Sequence, residues 1–146
     1  MSSRREQILQ AVATALAEVP RPDQSGYVPV YRDPSQAQRA SARYALIADW
    51  TSETVESLTS DRDECSLRLT VGVLMVDAER QDETLDQIIT AAHAALMADR
   101  TLGGLCSAIY RRAASRDTQV AEQIHNEVSQ GYEVVYRHKA NDMEAA

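Results

Sequence analysis

The sequence predicts an α+β protein. It reads as a single domain, with a mainly antiparallel or mixed sheet of four to five strands and two main helices packed on one face. Three observations carry this. The elements run helix, three strands, helix, two strands, which is not the strict alternation of a parallel α/β sheet. The strand segments alternate apolar and polar residues, so the sheet has one dry face and one wet face. Each helical segment carries one apolar stripe, which suits it to cover the dry face.

The first helix follows from Ile8, Leu9, Val12, Leu16 and Val19, spaced as one helical stripe. Ser2 or Ser3 supplies the N-cap, with Glu6 in the first turn. Pro20 and Pro22 are expected to end it, since proline cannot donate the next ladder bond. Residues 20–34 hold all four prolines and read as extended loop, with room for a short strand at 28–32. Residues 35–43 carry good helix formers but no apolar stripe.

Three strands are expected next, at 44–50, 53–59 and 65–77. The third is the clearest: Cys65, Leu67, Leu69, Val71 and Val73 alternate with Ser66, Arg68, Thr70 and Gly72. Leu74, Met75 and Val76 are apolar on both faces, so that end should be covered on both sides. Residues 60–64 form a polar turn, which makes the last two of these strands an antiparallel hairpin with a charged tip. The second helix is marked by Leu85, Ile88, Ile89, Ala92 and Leu96, with Thr84 as its expected N-cap. Gly103-Gly104 breaks the chain after it. Strands at 107–114 and 130–139 follow. In the last, Tyr132, Val134 and Tyr136 face one way and Glu133, Val135 and Arg137 the other. The wet face is expected to carry Arg68, Thr70, Arg111, Glu133 and Arg137 or their register partners. The domain should span 1–139, with 140–146 a disordered tail.

Composition narrows the function classes. The chain has 146 residues, and 44% of them are hydrophobic. A chain of this length buries roughly 70% of its unfolded surface and needs no disulfide or metal to fold. The net charge is −7 with a pI near 4.9, so a broad basic footprint for nucleic acid is absent. Cys65 and Cys106 form no CxxC pair. No apolar leader follows the first residues and no run of about 18 apolar residues is present. The expected place of action is a cytoplasm, or a particle assembled there, with no membrane involved.

A search for chemistry returns no catalytic, cofactor or metal constellation. His93, His125 and His138 share no metal-ligand spacing. His93 is expected to be half-buried, and the other two to lie on the surface. Acidic residues cluster at Asp61, Asp63 and Glu64 and again at Asp77, Glu79, Asp82 and Glu83, but without an EF-hand pattern they read as a solvated hairpin tip and a helix start. Both cysteines fall on apolar strand positions, as inert buried thiols. The basic residues are 14 arginines and one lysine, with Arg111, Arg112 and Arg116 the densest group in the second half. Three uses compete for that group: protection of an edge strand, pairing with acids across a subunit interface, or contact with DNA phosphates.

The layout resembles the tail terminator, or tail completion, proteins of long-tailed bacteriophages, the minor tail protein U type. The stretches that carry it come in order. They are the opening helix Arg5-Glu-Gln-Ile-Leu-Gln-Ala-Val-Ala-Thr-Ala-Leu16, the proline-rich loop, the apolar strand 45–50 and the long strand 67–76. Thr84-Leu-Asp-Gln-Ile-Ile89, Leu102-Gly-Gly-Leu105 and Gly131-Tyr-Glu-Val-Val-Tyr136 follow. The match runs from about residue 4 to 139; residues 35–43 and the tail have no counterpart.

The resemblance implies a structural virion protein rather than an enzyme, with no cofactor. Such proteins form a ring, typically a hexamer, on the last ring of the tail tube. The ring stops tube polymerisation and presents the head-joining surface at the head-proximal end of the tail. Its partners would be other copies of itself, the tail tube protein and a head-completion or neck protein, with DNA passing through the pore without sequence-specific binding. An acidic lumen would let DNA slide, because carboxylates repel phosphates. Rings need two different patches that fit each other. Asp61, Asp63 and Glu64 are the expected acidic patch and Arg111, Arg112 and Arg116 the basic one, while Tyr132 and Tyr136 belong to the core. A head-completion or neck protein of the virion and a cellular dimeric α+β binding domain are the rival readings.

Overall fold

Both apolar helix stripes need the same kind of partner, a flat alternating surface, and the strands supply it. The computed structural model describes residues 2–22, 25–33, 35–36, 44–76, 82–120 and 124–143. It contains α1 (Arg4–Leu16), β1 (Val30–Tyr31), β2 (Tyr44–Thr59), β3 (Arg62–Val76), α2 (Asp82–Met97), β4 (Ala108–Val120) and β5 (Ile124–Lys139). The strands form one five-stranded sheet in the order β1-β2-β3-β5-β4. β1 runs parallel to β2, and every other pair is antiparallel. The fold is α+β.

The core sits between the helices and one sheet face. Ile8, Val12 and Leu16 of α1 and Leu85, Ile88, Ile89, Ala92 and Leu96 of α2 pack with Leu46, Leu67, Leu69, Val71, Val73, Ile109, Tyr132, Val134 and Tyr136. Each fully buried Leu or Ile contributes about 1.5–3 kcal/mol relative to exposure. Ala45, Ile47 and Leu74 form a second, small cluster with Tyr31 on the opposite face. The near end of the sheet is therefore covered on both sides, as Leu74 and Met75 require.

Several local expectations change. The strands expected at 44–50 and 53–59 are one 16-residue strand, bent at Thr51 by a bulge between Trp50 and Ser52. An extra residue absorbs the change of phase without ending the pairing. The turn of the hairpin shrinks to Ser60 and Asp61, since Arg62 to Glu64 already pair in β3. β4 and β5 are longer than expected, reaching Val120 and beginning at Ile124.

Ser3 caps α1, its hydroxyl accepting from the Glu6 N–H at 3.2 Å. α1 stops at Leu16, short of the prolines, because the chain turns to pair the Val19 carbonyl with the Val28 N–H at 2.9 Å. Val19 thus joins the core from outside the helix. α2 begins by Asp82, so Thr84 lies in its first turn rather than at the cap. After α2, Gly103 and Gly104 take φ values of 71° and 89°, the left-handed region that glycine enters freely. Asp99 ties that loop, accepting from the Thr101 hydroxyl, Thr101 N–H and Gly103 N–H. These three donors hold its carboxyl below the usual range.

Part of the segment expected as a loose tail is held. Ala140 N–H donates to the Asp61 carbonyl, and the Met143 carbonyl accepts from Arg4 N–H, each at 2.8 Å. The second bond satisfies one of the free donors at the start of α1. Residues 144–146 and 37–43 lie outside the described residues.

Candidate functional site

The sheet presents two separate charged regions, one at the turn end of β2 and the central strand β3, the other on the edge strand β4. One is the β2–β3 hairpin end. Asp61 sits in the turn and accepts from the Thr59 hydroxyl at 2.6 Å. That bond lowers its carboxyl below the usual range. Asp63 accepts from the Ser57 hydroxyl at 3.4 Å, and Glu64 lies 3.4 Å from Arg137 of β5. The other region is β4. Arg112 is the extra residue of a bulge between Arg111 and Ala113. Its Nε lies 3.3 Å from Glu133 Oε2, and its guanidinium stacks over the Tyr110 ring at 4.8 Å.

The bulge sorts the three arginines. Arg111 pairs with Tyr132 and so lies on the helix side, not on the wet face where it was expected, because it keeps the phase of buried Ile109. Arg112 reaches the wet face, where Glu133 stands. Arg116 would return there by simple alternation, but the bulge shifts it opposite Val128. It then faces the helix side and ion-pairs with Asp82 at the start of α2. An open cleft at this point is lined by Asp82, Asp86, Ala114, Ser115, Arg116 and Val128. Among the described residues, no ion pair joins the acidic set Asp61, Asp63 and Glu64 to the arginines within one copy.

A third polar group lies beneath the start of α1, and sequence reading missed it. Glu53 is on the helix side of β2, opposite Leu67. It accepts from Arg5 Nη1 at 2.8 Å and from the Tyr136 hydroxyl. Arg5 also lies 4.3 Å over the Trp50 ring. Burial and the neighbouring carboxylate push the Tyr136 phenol well above its ordinary range. The signal was the bulge: it places Glu53 and Val55 on the side that Trp50 and Ala48 already occupy. The group has the chemistry of a clamp, since one carboxylate accepts from both Arg5 of α1 and Tyr136 of β5 and so ties the helix start to the sheet.

The remaining candidates resolve simply. Cys65 and Cys106 are free and buried, and burial pushes each thiol up to about 11. At neutral pH neither offers a thiolate. His93 is half-buried, with Nδ1 2.8 Å from the Tyr132 hydroxyl. That hydroxyl donates to Gln130 at 2.9 Å, so the His93 Nδ1 is the donor in the first contact. Burial raises the Tyr132 phenol to about 12, against the nearby Arg111 charge. His138 is buried rather than on the surface, because it continues the helix-facing phase of Tyr132, Val134 and Tyr136. The side chain of His125 and residues 77–81, with Asp77 and Glu79, lie outside what is described. Among the described residues no group of three or more His, Cys, Asp or Glu is placed to hold a metal, and no helix is long and apolar enough to cross a membrane.

No protein-family model matches this chain, and no curated protein matches it. Among solved structures it is similar to the PVC sheath/tube terminator of an extracellular contractile injection system in the extended state. The TM-score is 0.42 and the identity 11%, over 97% of this chain and 60% of that one. This chain therefore spans less than two thirds of its neighbour's length, and a likeness of that size does not by itself assign it a role.

Proposed function

We propose that this chain is a structural, non-catalytic subunit of a tail-type particle. It assembles as a ring, a hexamer in this reading, on the last ring of a tail tube. There it stops tube polymerisation and offers the surface to which the head-completion or neck protein joins. Residues 1–139 act as one domain. DNA passes through the ring without sequence-specific contact, eased by the net charge of −7.

The observation that carries this reading is that one sheet holds two unlike charged regions, an acidic hairpin end and a basic edge strand. A closed ring needs a heterologous contact, in which two unlike surfaces of identical subunits meet. Asp61, Asp63 and Glu64 lie at the turn end of the β2–β3 hairpin, while Arg111, Arg112 and Arg116 lie along β4, which borders the sheet. Unlike charges across such a joint set register and specificity. The sequence resemblance over residues 4–139 supports the same role.

The test is a tube-growth assay. Purified tail tube protein is polymerised with and without this chain, and tube ends are viewed by electron microscopy. The reading predicts shorter tubes, each with a ring at one end. Tubes that grow unchanged with no ring at either end would overturn it.

A further inference from the structure

The topology leaves two long backbone edges open. β2 meets β1 only at Leu46 and Ile47, so residues 48–59 have no strand on their outer side among the described residues. β4 closes the opposite side of the sheet and, among the described residues, pairs only with β5. An open edge of this length is a template for another strand.

Resting on the ring reading above, we propose that copies of this chain join by strand addition. β4 of one copy pairs antiparallel with residues 48–56 of β2 in the next, and the sheet continues from copy to copy.

Direction is the first support. β2, β3, β5 and β4 alternate in sense, so β2 and β4 run opposite ways. Copies related by rotation about an axis roughly along the strands therefore present antiparallel neighbours at every joint. Charge is the second. β2 carries Asp49, Glu53 and Glu56 and no basic residue, whereas β4 carries Arg111, Arg112 and Arg116 against the single acid Asp117. A joint of two β2 edges or two β4 edges would set like charges together, which destabilises a cross-strand pair. The β4-to-β2 joint sets unlike charges together, and it propagates in one direction until it closes.

Register is the third support, and it is independent of charge. Traced through β3 to β5, the free part of β2 lies level with Gln130 at Ala48 and with Lys139 at Thr59. β4 lies level with Val135 at Ala108 and with Ile124 at Val120. Sliding the neighbour by four residues lays one edge along the other. The same slide carries Glu56, level with Arg137, to the level of Glu133, opposite Tyr110 and beside the Arg112 side chain that reaches Glu133 on that face. The slide must be even to keep each face on its own side, and a sheet that closes on itself requires a stagger.

In this register Thr54 stands opposite Ala113, Val55 opposite the Arg111–Arg112 bulge, and Trp50 opposite Arg116. Val55 and Trp50 are 55% and 38% exposed in a single copy, and the arginine stems would cover them. The ladder starts at Tyr110, because the Arg100 guanidinium already holds the Ile109 carbonyl through Nη2 at 2.7 Å.

The test is disulfide trapping in the full chain. Directly opposed residues in an antiparallel pair have Cα atoms about 4.5–5.5 Å apart, within disulfide reach. Thr54→Cys combined with Ala113→Cys should, on mild oxidation, give a covalent ladder of oligomers on a non-reducing gel, while each single variant stays uncrosslinked. Native Cys65 and Cys106 are buried and do not compete. Rings seen by microscopy that fail to crosslink would overturn the strand-addition joint and leave the ring reading standing. Covalent dimers from Thr54→Cys alone would mean a joint of two β2 edges and would also overturn it. A chain that stays monomeric at every concentration, alone and with tail tubes, would overturn both.

A mixing experiment gives a second readout. Glu56→Arg and Arg112→Glu should each fail to assemble alone and assemble when mixed in equal amounts. A mixture that stays dissociated while the wild-type chain forms rings would overturn the joint.

Discussion

The two halves of β2 belong to one strand but to opposite environments. Residues 44–48 are all buried, with apolar contacts on both faces. After Trp50 the strand is exposed at nearly every position, although it stays paired with β3 to its end. The first half is held by the core, and the second by backbone bonds and a few polar contacts. The difference teaches where folding information stops. The near half supplies core for the helices and β1, whereas the far half projects the exposed edge on which the proposed joint between copies rests.

That contrast can be broken from either side, and the largest effect should come from the buried half. Leu46→Ala leaves a cavity in the core between the sheet and the helices and should cost about 2–5 kcal/mol. It would be read as a lowered denaturant midpoint, with assembly lost in parallel. Glu53→Ala comes next, since it strips the acceptor from Arg5 and Tyr136. Leaving such groups unpaired should cost about 1–3 kcal/mol, and Tyr136→Phe in the same background should recover part of it.

In the exposed half the pattern should invert. Val55→Ser should change stability by less than about 0.5 kcal/mol while weakening self-association, measured by sedimentation. Arg112→Glu should do the same, leaving the circular dichroism spectrum and melting midpoint near wild type but reducing assembly. Normal assembly of that variant would remove Arg112 from the interface.

The smallest effect concerns pH. Arg32 donates to Glu6 at 2.7 Å and holds its carboxyl below the usual range. A depressed carboxylate contributes stability above its unfolded value, near pH 4.3, and loses it as pH falls through the lower folded value. Both side chains are more than a third exposed, so the contribution should stay below about 1 kcal/mol. Glu6→Gln should therefore lower stability at neutral pH by that amount, leave it unchanged at pH values where Glu6 would already be protonated, and so flatten the acid limb of the stability curve.

These contrasts explain what could be read from the sequence. The stripe Leu85, Ile88, Ile89, Ala92, Leu96 and the alternation Cys65 to Val73 record burial directly, and both proved buried as read. The continuity of β2 was hidden because Thr51 breaks the alternation without breaking the pairing. The same device hid the side of Arg116 and the clamp at Glu53, since one extra residue reverses every later side chain in its strand. His138 was misread because a polar residue on a helix-facing position carries no apolar mark. The charged groups at Asp61, Asp63, Glu64, Arg111, Arg112 and Arg116 were visible as clusters. That the arginines fall on an edge strand, separated by β5 from the strand that carries Asp63 and Glu64, depends on the strand order β3-β5-β4, and no local pattern encodes that crossover.

The central claim is that these unlike edges make the chain self-assemble into a closed ring. The most direct measurement is light scattering after size exclusion across protein concentration, alone and with tail tubes, paired with negative-stain imaging. The account predicts one discrete closed species with a central hole wide enough for duplex DNA, free in solution or seated on the tube end. A compact dimer at every concentration, with bare tube ends, would contradict it.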